Sequence, residues 1–268
     1  MKFSKLIIIM NLFNLSLKSK IKNLFEMVYD LPFFQKPFPS YPFGKVLRAT
    51  KKTYLKLHKS TLAKNDINVR AFERNYGYQL NLDWWADLAL HTQVVIKPEE
   101  LNFFHGRLLY SVLCKYVQNI KEKDNSITSL TILETGTARG FSAVCMAKAL
   151  SDMNFPGFIT TIDCIPHNKK IYWNCIDDNY GPRTRSKLLE KWVNELSKII
   201  FIQGWTKKML PKIGLNRIHF AFLDAQHTEE DVLREFKFVS DRQQAGDILV
   251  FDDVTHLLFP GVCKAVDL

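Results

Sequence analysis

From Leu130 onward the chain alternates short apolar runs with amphipathic helical stretches, and this alternation restricts its fold more than any other feature. The apolar runs are Leu130–Glu134, Phe158–Asp163, Ile199–Gly204, Ile218–Asp224 and Asp247–Asp253. Between them lie "FSAVCMAKAL", then "TRSKLLEKWVNELSK" with Leu188, Leu189, Trp192, Val193 and Leu196 at helical spacing, then a stretch with Val232, Leu233, Phe236 and Val239 on one side. Strands this apolar are buried on both faces, so the pattern predicts a doubly wound parallel α/β sheet.

Ahead of the sheet the sequence predicts an extension at residues 1–45 and a helical layer at 46–125, with the α/β domain at 126–268. In the layer, Leu101, Phe104, Leu108, Val112 and Tyr116 fall on one helical face. The net charge of +10 is unevenly spread: residues 1–70 hold 14 Lys/Arg against 3 Asp/Glu, leaving 23 against 24 in the other 198. A basic leader suits an anionic surface, while the nearly neutral body has no basic stripe with interleaved aromatics, so nucleic acid is not expected as substrate. Leu6 to Leu17 is shorter than a membrane span and reads as a peripheral amphipathic helix or packing segment, giving residues 1–30 a possible membrane contact. A signal or anchor, or a later start at Met10 or Met27, are the alternatives. Four prolines among Phe and Tyr in "LPFFQKPFPSYPF" mark an extended linker. Five scattered cysteines without a Cys-x-x-Cys argue against disulfides or zinc and for a reducing, cytoplasmic setting.

The first turn of the sheet, "ILETGTARGF", narrows the ligand. A dinucleotide fingerprint wants a glycine where Ala138 stands, and a phosphate-cradling P-loop wants Lys and Ser/Thr where Phe141 and Ser142 stand. Glu134-x-Gly136-x-x-x-Gly140 remains: an acid at a strand end, a tight turn and a close helix start, which suits a cationic ligand without phosphate.

"ILETGTARGFS", "TTID", "FLDAQHTEEDVLREF" and "GDILVFDDV", in this order across Leu130–Leu268, resemble the class I S-adenosylmethionine-dependent methyltransferases of Rossmann-like fold. The Asp-x-x-His after the fourth strand and the acidic pair after the fifth resemble the branch acting on hydroxyls of small molecules and sugars. The resemblance implies that Glu134, Gly136, Thr137 and Gly140 border the amino-acid part of S-adenosylmethionine, and that Asp163 binds its ribose. Trp205 stands where the family has an acid beside the adenine, and stacking on the ring is the expected substitute.

Asp224 ends the fourth strand and Asp252–Asp253 the fifth, which a doubly wound sheet places side by side. Three carboxylates there suit a hard ion such as Mg²⁺, which would lower the pKa of an acceptor hydroxyl. Alternatively the acidic pair caps the next helix. His227 would act as general base with Asp224 beside it, or serve as a packing residue before the cap at Thr228. The segment Ile165–Arg185, with Trp173, Asp177, Asp178 and Tyr180, is expected to build the pocket of a small, sugar-like acceptor or to be a plain surface loop. His167 is expected to be solvated. The resembled core has two further strands after the fifth, so the expectation is either a truncated product or a fifth strand whose edge is covered by another chain, such as a second copy, or by the N-terminal extension. A truncated, non-catalytic binding protein and a nicotinamide-dependent oxidoreductase are the competing readings.

Overall fold

The computed structural model describes residues 42–64, 66–123 and 126–267. The apolar leader and the proline-rich linker as far as residue 41 lie outside the described residues. Among the described residues four helices come first. α1 (Lys51–Leu62) starts at Thr50, whose side chain accepts from the Thr53 N–H. α2 (Ile67–Tyr76) ends at Gly77 in the left-handed conformation. α3 (Leu82–Thr92) is capped by Asn81, which accepts from the Trp84 N–H, and α4 spans His105–Lys123.

The buried face of α4 differs from the expected one. Leu101 and Phe104 precede the helix, Leu108 and Val112 are half-buried, and the deep face carries Leu109, Leu113, Tyr116, Val117 and Ile120. The helix packs against both α2 and the first helix of the sheet domain. Its buried arc is therefore wider than that of a surface helix and turned from the predicted stripe.

The sheet domain runs β1 (Leu130–Thr135), α5 (Phe141–Asp152) and β2 (Gly157–Asp163). An irregular segment with a 3-10 turn at Ile176–Tyr180 leads to single helical turns α6 (Arg185–Leu188) and α7 (Val193–Leu196). Then come β3 (Ile199–Gln203), α8 (Thr206–Met209), β4 (Phe220–Leu223), α9 (Glu229–Ser240), β5 (Ile248–Phe251) and α10 (Pro260–Val266). The expected continuous helix over "TRSKLLEKWVNELSK" is broken by a 3-10 turn at Glu190–Trp192, which leaves Val193 64% exposed. On α9 the buried stripe is Val232, Glu235 and Val239, whereas Phe236 faces outward. Glu235 takes the inner position because Thr135 donates to it at 2.7 Å.

All strands are parallel, in the order β3-β2-β1-β4-β5. β1 is central, with Leu133 opposite Thr160 on one side and Ala221 on the other. The chain winds outward from β1 to β3 and then returns to β4, so the winding reverses between β1 and β4. A crevice opens at such a point, beyond the carboxyl ends of the strands. β5, like β3, is an edge strand among the described residues, and its residues are only half-buried.

One apolar core joins the helical layer to the sheet: Tyr54, Trp85, Leu88, Phe103 and Leu113 pack in the same cluster as Ile132, Phe141, Phe220 and Phe222. Within it lies a buried charge group. Arg107 donates to Glu73 at 2.8 and 2.5 Å and to Asp66 at 2.5 Å, with its guanidinium 5.3 Å from the Trp85 ring centre. The five cysteines are unpaired. Among the described residues no helix is long and apolar enough to cross a membrane.

Candidate cofactor and catalytic site

A cleft of about 310 Å³ opens where the winding reverses, lined by Gly136 and Ala138 after β1, Asp163 and Ile165 around the end of β2, Trp205 after β3 and Asp224 after β4. Gly136 is required twice over. Its φ is +88°, and a Cβ there would lie 1.9 Å from the Asp224 carbonyl oxygen. Only glycine lets the ends of β1 and β4 meet this closely while leaving the wall of the cleft open.

Glu134, Thr137 and Gly140 lie behind this wall. Glu134 is fully buried, accepts from Ser142 Oγ at 2.5 Å and from Thr161 Oγ1, and is pushed up to about 7 because burial outweighs these hydrogen bonds. Thr137 Oγ1 is 2.5 Å from Thr161 Oγ1. Gly140 caps α5 with φ +94°, and a Cβ there would press on Leu189. The three fasten the turn from beneath.

Asp163 and Trp205 do face the cleft. The Asp163 carboxylate accepts from the Ala138 N–H at 2.5 Å and the Ile165 N–H at 2.6 Å, which ties the glycine turn to the loop after β2. Each oxygen keeps a second lone pair for a ligand hydroxyl. Trp205 is 48% exposed and presents an aromatic surface on the far side. Among its lining residues the cleft has two carboxylates and no Lys or Arg. Such a wall accommodates positive charge and repels a pyrophosphate.

At the end of β4 a second group assembles. One ligand atom each from Asp224, His227 and Asp253 lie within 4.8 Å of one another. His227 Nε2 is 2.9 Å from Asp253 Oδ2, yet this buried nitrogen completes no hydrogen bond. Its ring packs on Phe259 at 4.2 Å, just before the Thr228 cap, which accepts from the Asp231 N–H. Asp253 has φ +57°, a conformation that non-glycine residues avoid. Burial, then the neighbouring charges of Asp252 and Asp253, push Asp224 well above the usual carboxylate range. A buried nitrogen that completes no hydrogen bond, beside acids that repel one another, is an arrangement that a divalent cation would relieve. His227 thus joins the set in the place expected for Asp252. The Asp252 carboxylate instead accepts from the Asp253 N–H at 2.9 Å, shaping the loop that aims Asp253.

His105 was not singled out from the sequence. Its ring is half-buried at the start of α4, 5.0 Å from Phe141 edge-on and 6.3 Å from Phe222 in a stacked arrangement. Burial pushes its pKa down against the opposing pull of Asp252 and Asp253. It belongs to the helical layer, and nothing in its local sequence distinguishes it from a packing histidine.

The segment from Ile165 to Arg185 departs from expectation. Trp173, Asp177 and Asp178 are buried, and none lines the cleft. Asp178 accepts from the Trp173 N–H at 2.8 Å, Trp173 Nε1 donates to Arg183 O at 2.8 Å, and Asp177 pairs with His91 and Arg183. A segment without regular structure must satisfy its buried backbone through side chains, and these residues do so. His167, expected in solvent, stacks on Phe201 at 4.4 Å.

Residues 133–254 match a family model described as a methyltransferase domain. No curated protein matches the chain in sequence. Among solved structures, the chain is similar to cofactor-bound Rv0187 from MTB at 15% identity and TM-score 0.45, covering 81% of this chain and 82% of that one. It is similar to the O-methyltransferase NovP at 14% identity and TM-score 0.46, covering 81% and 89%. It is also similar to CalS11, a TDP-rhamnose 3'-O-methyltransferase, at 14% identity and TM-score 0.42, covering 81% and 82%. Likenesses this distant carry nothing about substrate. The matched segment runs from within β1 to just past β5, with the strands in the expected order and the whole glycine turn inside it, and over these residues the chain is similar to a methyltransferase domain on a Rossmann-like α/β fold.

Proposed function

We propose that the protein transfers the methyl group of S-adenosylmethionine to a hydroxyl of a small, sugar-like acceptor, assisted by a divalent cation such as Mg²⁺. The observation that carries this reading is the cleft at the sheet's reversal point, walled by Asp163 and Asp224 without a cation and joined to the Asp224–His227–Asp253 group. A nicotinamide cofactor fits poorly. Its pyrophosphate would face carboxylates, and Ala138 stands where the close-approach glycine is needed.

When bound, the cofactor supplies an electrophilic methyl on a sulfonium, and the cation supplies charge that favours an acceptor alkoxide. Asp163 accepts hydrogen bonds from ribose hydroxyls, and Trp205 covers the adenine face. Gly136 and Ala138 leave room for the amino-acid end. Asp224, His227 and Asp253 would hold the cation. If Asp252 takes the histidine's place there, His227 Nε2 is free to receive the acceptor's proton, a role suited to an imidazole near neutral pH.

Calorimetric titration of S-adenosylhomocysteine into the 268-residue chain tests the cofactor site. Saturable binding that Asp163→Ala weakens by roughly 1–3 kcal/mol is expected from the loss of hydrogen bonds to a charged group. Wild-type-like affinity in a folded Asp163→Ala protein would remove the ribose assignment. Activity toward hydroxylated acceptors that disappears with a chelator and returns with Mg²⁺ supports the cation.

A further inference from the structure

Two arginines, Arg185 buried and Arg139 half-buried, brace the glycine turn against the segment after β2. Arg139, inside the turn, donates through Nε to Trp173 O at 2.6 Å. Arg185, at the far end of the segment, donates through Nε to Ala138 O at 3.0 Å and through Nη2 to Ile165 O at 3.3 Å. Asp163 accepts from the N–H groups of these same two residues. Ala138 and Ile165, both in the cleft wall, thus give their N–H to one acid and their C=O to one base.

A packing role does not explain this arrangement. Arg185 is 2% exposed and forms no ion pair among the described residues, its guanidinium lying 5.5 Å from the Trp173 ring centre and 5.8 Å from that of Phe201. A buried cation without a carboxylate partner is costly, and an apolar side chain of similar size would fill the space without that cost. Ala138 has φ +44°, a conformation that persists only where the surroundings hold it. Asp163 and Arg185 supply that hold from opposite sides.

Resting on the cofactor reading above, we propose that Arg185 is a positioning residue for the S-adenosylmethionine cleft: with Asp163 it sets the Ala138 and Ile165 peptides, so that the segment 165–185 serves the cofactor rather than the acceptor. Arg185 does not touch the ligand. It acts through the wall the ligand binds against.

The test uses Arg185→Ala and Arg185→Lys in the full chain, with S-adenosylhomocysteine titration and residue-resolved amide exchange measured without ligand. Arg185→Ala is expected to bind roughly tenfold more weakly, about the worth of one hydrogen bond to a charged group. Added guanidinium ion, well below denaturing concentration, is expected to restore affinity in the variant while leaving the wild type unchanged, a response that a general loss of stability would not show. Amide exchange at Ala138 and Ile165 is expected to quicken while exchange along α4 is unaltered. If Arg185→Ala does not fold, Arg185→Lys, which keeps the charge but reaches only one carbonyl, carries the same comparison. Affinity and exchange both equal to wild type would overturn the proposal. Should the wild type bind no S-adenosylhomocysteine, the cofactor reading fails by itself: quickened exchange at Ala138 and Ile165 would still support Arg185 as the brace of this wall, and unchanged exchange would refute it.

Discussion

The Glu134 carboxyl, enclosed beneath the glycine turn and pushed up to about 7 by burial, couples the fold to pH. Its value in the unfolded chain is near the ordinary 4.5, so between 4.5 and about 7 the unfolded state gives up a proton that the folded state keeps. Stability from this group is complete below 4.5 and is lost as pH rises toward 7, by up to about 3 kcal/mol at 1.36 kcal/mol per pH unit. Asp224 shifts in the same direction, so the informative quantity is the difference between wild type and variant. Glu134→Gln is expected to flatten the decline in urea-unfolding free energy across this window, and an unchanged slope would remove Glu134 from the pH response. Glycines give a second contrast at this scale. Gly136 and Gly181 have nearly equal positive φ, but only at Gly136 would a Cβ strike backbone. Gly181→Ala is expected to cost about 1–2 kcal/mol from conformation alone. Gly136→Ala adds overpacking of about 1–3 kcal/mol to a similar conformational cost, and its lower Tm is the check.

Among the elements, α4 bears the heaviest electrostatic load, because Arg107 is enclosed with Asp66 and Glu73 between α2, α3 and α4. Arg107→Met leaves two buried carboxylates facing each other, and a loss of roughly 3–5 kcal/mol in unfolding free energy is expected. A loss below about 1 kcal/mol would mean that water reaches the group, since exposed pairs have about that worth. The periodicity of "HGRLLYSVLCKYV" identified a helix but misplaced its buried face. A one-sided stripe is the signature of a helix with one neighbour, and α4 has two. For "TRSKLLEKWVNELSK" the spacing was helical while the chain needed a bend, and Leu189, packed beneath Gly140, sits where that bend begins. Periodicity carries no record of such a requirement.

At the scale of the molecule, the acid and histidine group makes a prediction about ions. Mg²⁺ or Mn²⁺ at a hundredfold excess over its Kd is expected to stabilise the fold by about 2.7 kcal/mol, read as a rise in Tm. Asp253→Asn should remove that rise. A Tm indifferent to both ions in the wild type, with no heat of binding, would dismiss the cation and leave His227 paired to Asp253 alone. The site is built by parts far apart in sequence: the glycine turn, the ends of β2 and β4 and the loop after β5.

The order of strands and helices, the turn at Gly136 and the acids at the ends of β2, β4 and β5 were all legible in the sequence, because each is a local pattern at a chain position that a parallel sheet brings to its carboxyl edge. Which of those residues face the cleft was decided only by the tertiary structure. Glu134 and Asp163 both stand at strand ends, yet one is enclosed by Ser142 and Thr161 and the other opens to the cleft. The burial of Trp173, Asp177 and Asp178, the brace formed by Arg185 and the place of His227 beside Asp253 were equally hidden. Each depends on side chains distant in sequence competing for the same enclosed space, and composition and spacing along one segment hold no information about the partner that arrives from another.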